Sequence, residues 1–108
     1  NSHLYEDVTK LVLSLNKNNN LGLVVGATKE SDMQKIKQIA PSLTWLIPGI
    51  GAQGGNLEES IIVSNTKPGF GVINVSRSII YANKQTLDDI RYAAVDYNES
   101  INQYLDYE

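Results

Sequence analysis

Three short apolar runs constrain the fold of this chain more than any other feature. Residues 21–27, 43–47 and 70–75 are each too short to make a helix. The first carries β-branched Val24 and Val25 and shows no polar alternation, which predicts a strand buried on both faces. Helical spacing fills the intervals. Leu4, Val8, Leu11, Val12 and Leu15 recur in steps of three and four, predicting an amphipathic helix over residues 3–17. Asn16 to Asn20 end it, because asparagine tolerates left-handed backbone and favours turns. Met33, Ile36, Ile39 and Ala40 mark a second helix that Pro41 stops, with Thr28 or Ser31 as its cap and Glu30 and Asp32 at its positive end. A third helix is expected over 57–63 behind Asn56 as cap. Leu87, Ile90, Ala94, Tyr97, Ile101 and Tyr104 outline the last and clearest one.

The order α-β-α-β-α-β-α with short connections implies parallel strands joined by right-handed crossovers. Such a sheet has only three strands, and its outer two, 21–27 and 70–75, are apolar runs left as bare edges. A small open α/β sheet is one outcome. The better expectation is a piece of a larger sheet or barrel, a single partial domain over 1–108, because strands of the buried type need neighbours.

Composition excludes several function classes. The 108 residues carry a net charge of −3 and a pI near 5.0, which argues against nucleic-acid or anionic-membrane partners. There is no cysteine, hence no thiolate metal site, and that fits a reducing cytoplasm. No apolar run reaches the roughly 20 residues of a membrane span.

The run Pro48-Gly49-Ile50-Gly51-Ala52-Gln53-Gly54-Gly55 follows the second strand directly and holds four glycines in eight residues. Its backbone can approach a ligand closely. The third strand ends in Ser76-Arg77. Two neighbouring strand ends, one glycine-rich and one bearing an arginine, form an anion cradle. Ligands of parallel α/β folds gather at this end of the strands, and barrels often hold phosphate in their last loops. The Gln53 amide and a charge-assisted Arg77 fork are the candidate donors, with the backbone amides of Ser76 and Arg77 beside them. A lone arginine after a strand is otherwise most often a surface ion pair.

Gly49 to Gly54 also matches G-x-G-x-x-G, so an NADP-binding α/β unit is an alternative, as is another phosphate-binding barrel enzyme. No acidic residue ends the next strand to hold a ribose, and Glu58 and Glu59 stand where a pyrophosphate would bind. His3 at the terminus reads as solvated, Met33 and Trp45 as packing, and Asp88 and Asp89 as complements to a helix dipole. The residues show where an anion binds and contain no nucleophile–base pair or metal cluster.

Taken together, residues 23–28, 47–55 and 73–82 resemble orotidine 5′-phosphate decarboxylases, in that family's order and spacing. The similarity runs from Leu21 to about Tyr104, closest to the longer-loop branch. It implies the C-terminal portion of a (β/α)₈ TIM barrel of the ribulose-phosphate-binding type. The portion runs from the helix after strand five to the last helix, with three parallel strands and four helices. It implies decarboxylation of orotidine 5′-phosphate to UMP in pyrimidine synthesis, without metal or organic cofactor, by a cytoplasmic homodimer. Gln53 and Arg77 then hold the substrate phosphate, Ser76 adds a backbone contact, and the loop of Pro48, Gly49, Gly51, Gly54 and Gly55 folds over the substrate. The family's catalytic Lys–Asp signature, D-x-K-x-x-D, is absent: Asp7-Val8-Thr9-Lys10 and Asp32-Met33-Gln34-Lys35 have the wrong spacing. The resemblance thus places no catalytic residue in this chain, expects the N-terminal half of the barrel as its partner, and expects the chain alone to be inactive.

Overall fold

The computed structural model describes residues 3–27, 29–51 and 56–105. Its elements are α1 (Leu4–Leu15), β1 (Gly22–Val24), α2 (Glu30–Ile39), β2 (Thr44–Ile47), α3 (Leu57–Ser64), β3 (Gly71–Ile73), α4 (Arg77–Ile80) and α5 (Leu87–Leu105). The expected order holds, with the one-turn helix α4 added after β3. Four residues are too few to show a helical period, which is why the sequence pattern does not reveal it.

The three strands lie in the order β1-β2-β3 and are parallel throughout. Leu23, Trp45 and Gly71 align in one row across the sheet, and Val24, Leu46 and Val72 in the next. Alternation of side chains sends those rows to opposite faces. Trp45 and Ile47 join Met33, Ile36, Ile50 and Val63 in the core beneath the helices.

The other face, also expected to be buried, is open among the described residues. Val24 is 71% exposed, Leu46 44% and Val72 50%. Among the described residues the helices cover one face only, so apolar strand residues on the second are left without a partner.

The same applies to α1. Its packed side is Tyr5, Thr9 and Val12, whereas the stripe of Leu4, Val8, Leu11 and Leu15 is exposed. Tyr5 donates its hydroxyl to Asp32 of α2 at 3.1 Å, and Thr9 donates to the Tyr5 carbonyl at 2.7 Å. On α5, Ile90, Tyr97, Ile101 and Tyr104 are half-buried, but Ala94 is exposed and Leu87 is 88% exposed.

Caps explain where the helices begin. Asn56 accepts from the Glu59 amide at 3.0 Å, as the sequence predicts, and Glu58 and Glu59 occupy the first turn. For α2 the expectation is corrected. Lys29 is the cap residue without a side-chain bond, Ser31 lies inside the helix, and Thr28 falls outside the described residues.

The unanticipated core residue is Lys37, only 6% exposed. Its Nζ donates to the Ser64 carbonyl at the end of α3, at 2.8 Å, and lies 4.7 Å from the Trp45 ring centroid. The last carbonyls of a helix lack intrahelical donors, and a cation suits that end. Burial pushes the Lys37 ammonium below its ordinary pKa of 10.5. The folded state therefore releases this proton before the unfolded chain does. In the window below 10.5 the unfolded state binds more protons, so stability rises with pH there. Lys37→Ala in a protein carrying this segment orphans the Ser64 carbonyl and is expected to remove about 1–3 kcal/mol of stability. A urea midpoint unmoved by the substitution contradicts this.

Candidate functional site: two strand ends joined at Gly51

The parallel sheet delivers all three chain exits to one end. Beyond β1, the Val25 amide donates to Leu46 at 2.9 Å; beyond β3, the Asn74 amide donates to Ile47 at 3.0 Å. Side by side, the exits of β2 and β3 lead into the glycine run and into Arg77.

The first part of the glycine run is fixed. Gly49 and Gly51 have φ of 87° and 81°, a region in which a Cβ is strained, and Ile50 between them is buried in the core. Anchoring Ile50 while both neighbours adopt positive φ makes a tight turn above the end of β2. The chain is described again at Asn56, whose amide donates to Ala27 beyond β1 at 3.3 Å. Gln53, Gly54 and Gly55 lie outside the described residues.

On the neighbouring exit, the Ser76 carbonyl accepts from the Ile79 and Ile80 amides at 3.1 and 2.9 Å, forming α4. The Asn74 side-chain amide donates to Ser76 Oγ at 3.4 Å. Arg77 is the first residue of α4 and is exposed. No carboxylate among the described residues pairs with it, so the surface-ion-pair reading finds no support there.

Gly51 joins the two exits. A Cβ at that position would collide with Ser78 Oγ and come within 2.6 Å of the Tyr97 hydroxyl. The turn after β2 thus lies directly against the residue following Arg77. The structure brings Gly49, Gly51, Ser76 and Arg77 to one end of the sheet. Ser78 and Tyr97 were not singled out as site residues. Tyr97 reads as one more residue of an apolar stripe, and only the positive φ of Gly51 together with its crowding exposes the contact.

The remaining charged candidates serve helix ends. Asp89 accepts from the Thr86 and Lys84 amides at 3.4 and 3.1 Å, while Thr86 Oγ1 accepts from the Asp89 amide at 3.1 Å. This is a reciprocal cap. Hydrogen bonds from Thr86 and Asn83 hold the Asp89 carboxyl below its usual pKa. Desolvation pushes Glu59 up, aided by its hydrogen bond with Glu30 and by repulsion from Glu30 and Glu58. Those carboxylates in the first turn of α3 oppose a pyrophosphate there. His3 is exposed, its ring stacked on Tyr5 at 5.7 Å. Among the described residues there is no cluster of metal-ligating side chains, and no helix is long and apolar enough to cross a membrane.

Comparison with known proteins finds relatives in sequence and in fold, although no family model matches the chain. The orotidine 5′-phosphate decarboxylase of Delftia acidovorans is 42% identical over 93 residues, covering 85% of this chain and 33% of the relative. That of an Azoarcus strain is 40% identical over 105 residues, covering 94% of this chain and 39% of the relative. Among solved structures, Leishmania donovani UMP synthase superposes with a TM-score of 0.84 at 39% identity, over 96% of this chain and 23% of its own. The OMP decarboxylase of the same organism gives 0.81 at 36% identity, over 96% and 39%. The chain therefore spans between a third and two fifths of the length of these curated relatives. Its three parallel strands and their helices are a portion of a TIM barrel. By sequence and by fold, the chain belongs to the orotidine 5′-phosphate decarboxylase family.

Proposed function

We propose that this chain forms the C-terminal, phosphate-gripping part of a barrel that converts orotidine 5′-phosphate to UMP in pyrimidine synthesis. The Arg77 guanidinium and the Gln53 amide bind the substrate phosphate, and the Ser76 backbone adds to the grip. The turn of Pro48, Gly49, Gly51, Gly54 and Gly55 brings backbone close to the same group. The single observation that carries this reading is the Gly51–Ser78 contact, which seats the glycine turn against the helix opened by Arg77. Relatives at about 40% identity bear the name of this activity.

In the proposed reaction the bond between the pyrimidine ring and its carboxylate breaks and carbon dioxide leaves. The electron pair stays on the ring carbon, which then takes a proton. A lysine outside this chain supplies that proton, and the Lys–Asp array is contributed by the rest of the barrel. This segment's part is remote binding. Energy from gripping a non-reacting dianion is used to exclude water and to favour the transition state at the base. No metal or organic cofactor enters the scheme. The remaining elements of the reading are a single partial domain over 1–108, a cytoplasmic enzyme and a homodimer.

Turnover tests the proposal. A complete protein carrying this segment is expected to release carbon dioxide from orotidine 5′-phosphate and to bind UMP. A protein that releases none, and that binds NADP in preference to UMP, overturns it.

A further inference from the structure

We infer that Tyr97 and Ser78 are positioning residues for the phosphate grip, holding the Gly51 turn in register with the helix that begins at Arg77. The inference rests on the phosphate reading above and assigns work to a helix that reading does not use.

Gly51 is confined in two ways. Its φ of +81° disfavours any side chain, and the space a Cβ would take is filled by Ser78 Oγ and the Tyr97 hydroxyl. The two hydroxyls come from different elements. Ser78 sits one residue past Arg77 in α4, so a shift at Gly51 is transmitted to the start of that helix. Tyr97 stands mid-way along α5, with its ring packed beside the core cluster. No hydrogen bond to another described residue engages either hydroxyl. What they do is occupy the flank of the turn. Ile50 fixes the turn from below through the core, and Tyr97 with Ser78 fixes it from the side. A donor moved out of short, aligned hydrogen-bond geometry weakens its bond to the phosphate, so lateral restraint of this kind bears directly on affinity.

The test uses a complete protein carrying this segment, with UMP and uridine as probes. Tyr97→Phe keeps the ring and removes the hydroxyl, and Ser78→Ala removes the second. The double variant is expected to bind UMP about 10-fold more weakly or worse, to bind uridine as before, and to keep its thermal midpoint. Gly51→Ala is expected to lose still more UMP affinity. Its loss and that of Tyr97→Phe combine less than additively, since both disturb one contact. Unchanged UMP affinity in the double variant overturns the inference, provided Arg77→Ala abolishes tight UMP binding in parallel. If Arg77→Ala also binds normally, the phosphate reading itself fails and this inference with it. Equal losses for UMP and uridine indicate only general packing and likewise overturn it.

Discussion

Arg77→Ala in a complete protein carrying this segment is expected to weaken UMP binding by about 10² to 10⁴-fold while leaving uridine binding and the fold in place. The size follows from the chemistry of the group. A hydrogen bond to a charged partner contributes about 1.5–3 kcal/mol, and a guanidinium can place two on one phosphate. At about 1.4 kcal/mol per factor of ten, loss of that fork gives the stated range. The fold is spared because Arg77 is exposed, and α4 is built from the Ser76 carbonyl and its amide donors without the guanidinium. Surface substitutions of this kind usually move stability by no more than about 0.5 kcal/mol. Arg77→Lys keeps the charge and loses the planar fork, so its affinity falls between wild type and Ala. UMP affinity unaltered in Arg77→Ala removes the arginine from the site.

The second large effect concerns the 108 residues by themselves, which are expected to release no measurable carbon dioxide from orotidine 5′-phosphate. Loss of the carboxylate leaves an electron pair on the ring carbon, and a positioned acid must deliver a proton there. The described lysine with an unusual environment is Lys37, and it is at the wrong end. Its Nζ lies beside the space next to Gly69, just before β3, and it is bonded to the last carbonyl of α3. Arg77 and the Gly51 turn follow the opposite ends of the strands. A phosphate held at Arg77 therefore places the base far from the Lys37 amine. Sustained turnover by these residues alone contradicts the account, because it requires a proton donor that the account assigns elsewhere in the barrel.

What was legible in the sequence is what depends on neighbouring residues. The alternation of apolar runs with helical periods gives the parallel sheet and its strand order. Asn56 followed by Glu58 and Glu59 gives the start of α3, and Met33 and Trp45 are the packing residues they read as. What was hidden depends on distant partners. Val24, Leu46 and Val72 have the apolar character of buried strand residues and are exposed here, because burial needs a second layer that the described residues do not supply. Leu4, Val8, Leu11 and Leu15 outline α1 correctly, and they are exposed while Tyr5 and Thr9 pack, because the described residues supply no layer over that stripe. Lys37 counts as polar in any periodicity, yet its amine both lies over the Trp45 ring and caps α3.

The site divides along the same line. That Arg77 and the Gly49–Gly51 turn lie at one end of the sheet was legible because each follows a parallel strand, and such strand ends are where α/β folds bind ligands. The Gly51–Ser78–Tyr97 contact joins residues distant in sequence and needs three dimensions to be seen. Gln53 lies outside the described residues, and its phosphate role remains a proposal.

A crystal structure of the complete protein with UMP bound tests the central claim most directly. The account predicts the 5′-phosphate between the Arg77 guanidinium and the turn that begins at Gly49, with oxygens about 2.7–2.9 Å from the Arg77 nitrogens. A phosphate seated at another strand end, with Arg77 turned to solvent, contradicts it.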